Sequence, residues 1–299
     1  MGETVVIVNW NAGEALAACV ASLADDARRG CEVIVVDNAS SDGSVAAVRS
    51  GFPWVTVIET GANLGFAAGA NQGAAHARGD VLIFVNPDAR VLPDAVRTLA
   101  DTLRLVPAAG IAGGGLVDAT GRWQPSAARF GPVRHLVLDT TLGRLGARAR
   151  QLPHRVDWVY GTFVAVRRDL FRQLGGFDAA YFLYGEDMDL CHRAARLGAR
   201  TVLVPAARAV HGANLSARQR FGNGREAEVV KGELRFYARR ADPGWCRARG
   251  AAPARTVPPT AASGPSCRPD RPPRCPRRAR AAACLPAFGP RPAARVRRD

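Results

Sequence analysis

At 299 residues, 47% of them hydrophobic, the chain is long enough for one large domain or two closely joined ones with a sizeable core. Its net charge of +15 is uneven: residues 241–299 carry 13 Arg against Asp242, Asp270 and Asp299, a surplus of ten, which leaves only +5 for the first 240 residues. No apolar run approaches the ~20 residues that span a bilayer, MGETVVIVNW has no basic segment ahead of its apolar run, and the seven cysteines include no CxxC pair. These features argue against a membrane helix, a signal peptide, a zinc site and a disulfide framework, and the cytoplasm is the expected compartment.

The first 120 residues alternate strand and helix patterns. Thr4–Val8 is a β-branched run and predicts a strand. Leu16, Cys19, Val20 and Leu23 recur at i, i+3, i+4 and i+7, the spacing of one helix face. Glu32–Val36 predicts the second strand, Ser44–Arg49 a short helix, Trp54–Ile58 a third strand and Phe66–Ala77 an Ala-rich helix. Val81–Val85 is wholly apolar, as a strand covered on both faces should be. Pro93 is expected at the first position of a helix with Val96, Leu99 and Leu103 on one face. This alternation predicts an α/β architecture, a Rossmann-like and mostly parallel central sheet flanked by helices.

In open sheets of this kind ligands bind beyond the carboxyl ends of the strands. Those ends share a character here. Asn9-Trp10-Asn11 follows the first strand, Asp37 to Gly43 (DNASSDG) the second, Gly61 to Gly65 (GANLG) the third, and Asn86-Pro87-Asp88 the fourth. One such end is an ordinary turn, but four on one rim point to a polar pocket. The first turn is NWNAGE rather than GxGxxG, no GxxxxGK[ST] occurs, the only lysine is Lys231, and no GxSxG elbow is present. Nicotinamide and flavin enzymes, P-loop enzymes and α/β-hydrolases are thereby disfavoured.

Residues 121–156 read as loop-rich, Asp157–Val166 as a strand interrupted at Gly161, and Arg168–Leu174 as a short helix stopped by Gly175-Gly176. Leu190, Ala194 and Leu197 then mark a helix closed by Gly198. Thr201–Val204 predicts a strand leading through Pro205 to Val210-His211, and residues 224–240 a last amphipathic helix. Glu186, Asp187 and Asp189 crowd the start of the Leu190 helix, where its positive end favours anions by ~0.3–1 kcal/mol each. Asp187 precedes Leu190, Cys191 and Ala194 by three, four and seven residues and shares their inward face, whereas Asp189 precedes Arg193 by four and is placed for an ion pair.

Taken in order, VVIVNWN (5–11), VVDNASSDGS (35–44), NLGFAAGANQG (63–73), FVNPDARVLP (84–93), GTFVAVRRDLFRQLGGFD (161–178), YFLYGEDMDLCHRAARLG (181–198) and VHGANLS (210–216) resemble the family 2 glycosyltransferases of GT-A fold, in particular bacterial rhamnosyltransferase-like members. The resemblance covers roughly residues 4–240. It implies inverting transfer of a sugar from a nucleoside diphosphate donor (dTDP- or UDP-sugar, dTDP-rhamnose favoured) to a saccharide or lipid-linked acceptor in cell-envelope polysaccharide synthesis, with Mg²⁺ or Mn²⁺. Residues 1–120 would form the nucleotide-sugar-binding half of one domain and residues 121–240 its acceptor-binding and catalytic half. The resemblance further implies that Asn9, Asn11, Asp37, Asn38, Asn63, Gly65, Asn71 and Asn86 contact the nucleotide sugar. In that reading Asp37 accepts from the base and Gly65 lets backbone approach the nucleotide. Asp88 and His211 would ligate the metal, Asp187 would be the general base, and Glu186 would position the acceptor.

The sequence departs from that family at one point: Asn86 stands where the first carboxylate of the D-x-D metal motif is usual, so the diphosphate itself is expected to supply most metal ligands. A sugar nucleotidyltransferase is an alternative, disfavoured because NWNAGE lacks a Gly-rich basic phosphate loop. A nonenzymatic nucleotide-sugar-binding protein is a second, disfavoured because Asp88 and Asp187 are both kept. The Arg-, Pro- and Ala-rich segment 241–299 is expected to be a disordered tail that makes peripheral contact with an anionic membrane surface, with nucleic acid the less favoured partner.

Overall fold

The apolar runs of the first half become strands because both faces of each are covered. β1 (Glu3–Asn9), β2 (Glu32–Asp37), β3 (Thr56–Glu59) and β4 (Val81–Val85) pair in parallel in the order β3-β2-β1-β4. Val5, Ile7, Val33, Val35, Val81, Ile83 and Val85 enter one core cluster, and Val6, Val8, Ile34, Val36, Leu82 and Phe84 the other. This is the period-two alternation of a strand, with both sides apolar. The computed structural model describes residues 2–130, 152–212 and 225–239, which fall within one compact unit, and segment 241–299 lies outside the described residues.

The sheet continues with β11 (Phe163–Arg167), β6 (Ala109–Val117), β12 (Arg200–His211) and β5 (Ala89–Val91). β12 runs parallel to β6, while β11 is antiparallel to both β4 and β6, and β5 is antiparallel to β12. Short strands β7 (Trp123–Gln124) and β9 (His154–Val156) join β6 and β12, and β8 (Ala127–Ala128) pairs with β10 (Trp158–Val159) in a separate ribbon. On one face lie α1 (Glu14–Ala21), α3 (Ser44–Gly51) and α5 (Ala95–Leu105), with α2 (Ala24–Arg28) beside α1 in sequence. On the other lie α4 (Gly65–His76), α6 (Arg168–Gln173), α7 (Glu186–Arg196) and α8 (Arg225–Arg239).

The structure differs from the sequence expectations in several places. The run Asp157–Val166 divides into β10 and β11, which join different sheets. β6, AGIAGGGLV, has no counterpart among the expectations because glycine disfavours strands. Its glycines are required by close packing instead: a Cβ on Gly114 would sit 2.1 Å from Phe163 Cδ1, and one on Gly113 would sit 2.4 Å from Val159 Cγ1. Pro93 does not open α5, because Asp94 adopts a left-handed φ of 61° and the helix begins at Ala95. The Leu16–Leu23 face is not one helix: Leu16, Cys19 and Val20 lie in α1, while Leu23 lies in the turn ahead of α2, after Ser22, whose hydroxyl donates to Cys19 O. The third strand is shifted to Thr56–Glu59, leaving Trp54 exposed in an edge-to-face pair with Phe52. Cys19, Cys31 and Cys191 are unpaired and buried, as small core residues. Among the described residues no helix is long and apolar enough to cross a membrane.

Candidate active site

Parallel pairing sets the ends of β1 and β2 level, with Asn9 opposite Asp37. Both are buried, at 0% and 4% exposure, so their polar atoms must find partners. Asn9 Nδ2 donates to Asp37 Oδ1, Ser40 Oγ and Ser44 Oγ, each at 3.0 Å. Asp37 also accepts from Ser40 Oγ at 2.5 Å on Oδ1 and from Ser40 N–H at 3.1 Å on Oδ2. Asn9 Oδ1 is buried without a hydrogen-bond partner. Asn11, with φ 49°, accepts from Ser41 N–H at 2.8 Å and so fixes the loop above this corner. Asn38 Nδ2 donates to Gly65 O at 2.9 Å, and Asn63 Oδ1 accepts from Gly65 N–H at 3.0 Å, tying the end of β2 to the start of α4.

Two sequence readings change here. Gly65 does permit a close backbone approach, but to protein: a Cβ there would lie 2.3 Å from Phe182 O, and Phe66 N–H donates to that oxygen at 2.8 Å. Asn71 is not brought to the rim. Its Nδ2 donates to Phe177 O and its Oδ1 accepts from Phe177 N–H, at 2.8 and 2.9 Å, so its amide clamps the turn after α6.

Asp88 and His211 meet because β5 and β12 pair antiparallel, with Ala89 opposite His211 and Gly212 N–H donating to Asp88 O at 2.9 Å. His211 Nε2 is 3.6 Å from Asp88 Oδ1, and both side chains are more than nine-tenths buried. Nδ1 of the same ring lies 3.2 Å from Gln124 Oε1, which orients it. Among the described residues no third His, Cys, Asp or Glu completes a cluster of metal ligands around them. The pair nevertheless suits a divalent cation: two ligands each ~2.1 Å from one ion stand at most ~4 Å apart. Asn86, on the same rim, is fixed to the turn before β11, its N–H donating to Thr162 O at 2.9 Å.

Gly185, with φ 93°, turns the chain into α7, and the next two residues are the carboxylate pair. Asp187 Oδ2 accepts from Gly161 N–H at 2.9 Å and Oδ1 from Met188 N–H at 2.7 Å. Burial raises its carboxyl from about 3.8 to about 6, against the lowering by these hydrogen bonds, with Glu233 adding to the rise. It is therefore mostly ionised at neutral pH but within reach of a proton, as a general base should be. Glu186 is 5% exposed, and its Oε2 has no hydrogen-bond partner. Burial first, and the charge of Asp187 second, push its carboxyl well above the usual range and favour its neutral form. Asp189 is fully buried and pairs with Arg193 Nε at 2.5 Å, while the other guanidinium nitrogens donate to Leu174 O and Gly176 O. Asp189 is structural, and its ion pair lies inside the molecule rather than on a solvated face.

These groups share a cleft of about 350 Å³ lined by Asn86, Glu186, Asp187 and His211, together with Trp158, Tyr160, Thr162, Tyr184 and Glu233. Sequence reasoning missed Gln124, Tyr160, Thr162 and Glu233. Gln124 lies 87 residues from His211, and Glu233 sits in a helix whose charge pattern reads as an ordinary solvated face. The available signal was Gly232 beside Glu233, which lets α8 touch the Tyr184 carbonyl: a Cβ there would be 2.4 Å from that oxygen.

Comparison with known proteins gives the class to which this chain belongs. Residues 4–175, more than half of the chain, match the model of glycosyl transferase family 2, and the chain belongs to that family. It is 33% identical over 229 residues, 69% of this chain and 75% of the other, to an N-acetylglucosaminyl-diphospho-decaprenol L-rhamnosyltransferase of Mycobacterium tuberculosis. It is 40% identical over 85 residues, 28% of this chain and 32% of the other, to rhamnosyltransferase WbbL of Escherichia coli. The fold is similar to that of mannosyltransferase PcManGT from Pyrobaculum calidifontis, solved with GDP-Man and Mn²⁺, at TM-score 0.54 and 23% identity over 81% of this chain and 64% of that one. It is also similar to GalNAc-T7 solved with UDP, GalNAc and Mn²⁺, at TM-score 0.56 and 18% identity over 81% of this chain and 50% of that one. At such identities the structures speak for the fold, which is GT-A.

Proposed function

We propose that this glycosyltransferase inverts the anomeric centre of its donor and depends on a divalent cation, moving a sugar, with rhamnose the first candidate, from a dTDP- or UDP-sugar to a lipid-linked saccharide in cell-envelope polysaccharide synthesis. The observation that carries this reading is Asp187, a carboxylate held by the Gly161 and Met188 N–H groups, on the cleft shared by Asn86 and His211. The 33% identity with the mycobacterial rhamnosyltransferase supports the choice of sugar and acceptor.

In this reading the nucleoside lies over the corner of Asn9, Asp37 and Asn38. A carboxylate has about four lone-pair sites, and Asp37 uses three, which leaves one on Oδ2 for an N–H of the base. Asn63 and Asn11 hold the loops around that corner. The diphosphate points along the rim to Asn86, Asp88 and His211. Those last two would hold the Mg²⁺ or Mn²⁺, which supplies Lewis-acid stabilisation to the departing diphosphate. Asp187 takes the proton from the acceptor hydroxyl as its oxygen attacks the anomeric carbon from the face opposite the diphosphate. The Gly161 and Met188 N–H groups keep that carboxylate aimed while leaving further lone pairs on both oxygens. Tyr160 and Trp158, edge to face at 4.8 Å, wall the acceptor side.

The test is release of nucleoside diphosphate by the full chain from dTDP-rhamnose and a panel of UDP-sugars, with a prenyl-diphosphate-linked N-acetylglucosamine as acceptor, with Mg²⁺, with Mn²⁺ and with chelator. Metal-dependent release that requires the acceptor is expected, and no release from any donor would overturn the reading. Peripheral membrane contact through the Arg-rich segment 241–299 is part of the proposal, at ~1 kcal/mol per basic residue near an anionic surface. Equal cosedimentation of the full chain and a 1–240 truncation with anionic vesicles would remove that segment from the mechanism.

A further inference from the structure

α8 lies outside the stretch that matches the family, yet it supplies one wall of the cleft. Val229 and Glu233 line the cleft from α8, alongside Glu186 and Asp187 from the first turn of α7. The second half of α8 is anchored elsewhere. Phe236 is buried, stacks on Phe130 at 5.3 Å and meets His192 of α7 edge to face. Arg235 donates to Ala180 O and Arg239 pairs with Asp178, and their guanidinium groups lie 5.9 and 5.7 Å from the centre of the Tyr181 ring. α8 is thereby fixed to segment 178–181, which leads into the acid pair.

Where α8 crosses the turn ahead of α7, the two backbones touch. A Cβ on Gly232 would lie 2.4 Å from Tyr184 O, and one on Gly185 would lie 2.9 Å from Gly232 O. Both glycines are buried. Gly185 is glycine for its φ of 93°, and Tyr184 before it holds φ 69°, a left-handed conformation that a bulky residue keeps only where packing imposes it. Gly232 has a different reason. It lies inside a helix, where glycine is a poor residue, and what the site uses is the missing side chain. The contact also keeps solvent from the acids: Glu186, the residue after Gly185, is 5% exposed, and its Oε2 is buried without a hydrogen-bond partner. Burial is the largest cause of the rise in both carboxyls. The cover that α8 gives and the strength of the base are therefore linked.

We propose that Gly232 is a positioning residue for the transfer: by letting α8 rest on the Tyr184–Gly185 turn, it holds that helix over Glu186 and Asp187 and keeps the base and the acceptor hydroxyl out of bulk water. The titratable groups around Asp187 are Glu186 on its own helix, Glu233 on α8, His211 on β12 and the phenols of Tyr160 and Tyr184, with Cys191 one turn further along α7. Lifting α8 hydrates Asp187 and withdraws the Glu233 carboxylate. Both changes lower the Asp187 carboxyl from about 6 toward 3.8. A weaker base with a looser aim moves a proton more slowly. The inference rests on the transfer reading for the identity of the base, but the Asp187 carboxyl can be followed without turnover.

The experiment compares the full chain with its Gly232→Ala, Val229→Ala and Lys231→Ala variants. Alanine is the better helix former, so Gly232→Ala leaves α8 itself sound and adds only a methyl against Tyr184 O. One measurement is the pH dependence of kcat/KM for nucleoside diphosphate release from dTDP-rhamnose, with prenyl-diphosphate-linked N-acetylglucosamine and Mn²⁺. The other is the ¹³C shift of the Asp187 carboxyl against pH, assigned by its absence in Asp187→Asn. In Gly232→Ala the acid limb and the carboxyl midpoint should both move down from about 6 toward 3.8. Its kcat should fall roughly ten- to hundredfold, while nucleoside diphosphate affinity is unchanged. Val229→Ala opens the same wall by a cavity instead of a clash. It should shift both readings the same way by less, and it carries the test if Gly232→Ala does not fold. Lys231→Ala removes an exposed side chain and should match wild type. Wild-type limbs in both Gly232→Ala and Val229→Ala, a fall in turnover with an unmoved acid limb, or an equal shift in Lys231→Ala would each overturn the proposal. A lowered carboxyl midpoint in Gly232→Ala, in a protein whose wild type releases no nucleoside diphosphate from any donor tried, would instead overturn the transfer reading and leave the cover by α8 standing.

Discussion

Replacing Asp187 by Asn keeps the shape of the side chain and removes its basicity. The carboxylate accepts from two backbone N–H groups, Gly161 at 2.9 Å and Met188 at 2.7 Å, one on each oxygen. An amide offers one acceptor atom, so one of those N–H groups must face an NH₂. Leaving a buried donor unsatisfied costs ~1–3 kcal/mol, which for a domain of this size lowers Tm by roughly 2–12 °C. Turnover should fall by ~10²–10⁴, the usual contribution of a general base, while nucleoside diphosphate affinity stays at the wild-type value. Calorimetry and product release on one preparation measure both. Because burial raises the Asp187 carboxyl to about 6, wild-type kcat/KM should decline below that pH as the base is protonated. The sign for stability is opposite to that of a salt-bridged acid. The folded protein binds the proton more tightly than the unfolded chain, so the contribution is full below about 3.8 and is lost as pH rises through about 6. The stability deficit of Asp187→Asn relative to wild type should therefore shrink across that interval. Near wild-type turnover by the variant would refute the assignment of the base.

Three further outcomes follow from packing and charge. Arg193→Ala leaves Asp189 fully buried without its partner and removes donors to Leu174 O and Gly176 O. A loss of ~3–5 kcal/mol is expected by denaturant titration, and a loss below 1 kcal/mol would show that the pair is dispensable. Gly114→Ala places a methyl 2.1 Å from Phe163 and 2.9 Å from Ala207 O, so overpacking should cost ~1–3 kcal/mol in the same assay. Asp88→Ala should weaken nucleoside diphosphate binding in Mn²⁺ while leaving metal-free binding unchanged, and equal losses in both titrations would remove the metal role.

The fold was legible wherever a strand is buried on both faces. VLIFV and VIVV read directly as strands because nothing polar interrupts them. AGIAGGGLV did not, because its suitability lies in what passes over it: Phe163 and Val159 need the space that side chains at Gly114 and Gly113 would fill. Pro93 misled because the left-handed turn at Asp94 is a property of the backbone that the residue types around it leave open. In the site, the inward placement of Asp187 could be read from its helical phase relative to Leu190, Cys191 and Ala194, whereas its role as base came only from the resemblance to the family. The degree of burial of Glu186 could not, since it depends on α8 covering the start of α7. Asn71 is the converse case, a polar residue inside a recognisable motif whose amide hydrogen-bonds the backbone of Phe177.

The reversed direction of β11 has a consequence for how the molecule is made. Val81 to Val85 pair on one side with β1, which is synthesised before them, and on the other with Arg167 to Phe163, which are synthesised long after. At ~5–20 residues per second on the ribosome, the far edge of a wholly apolar strand waits several seconds for its partner. Such an edge is a template for unwanted pairing until β11 covers it. The same order of events builds the site from the Asn9–Asp37 corner outward. The Asn9–Asp37 corner can close within the first forty or so residues, whereas Gly161, Asp187, His211 and Glu233 arrive last. A chain stalled before β11 carries the Asn9–Asp37 corner and lacks Asp187, the proposed base.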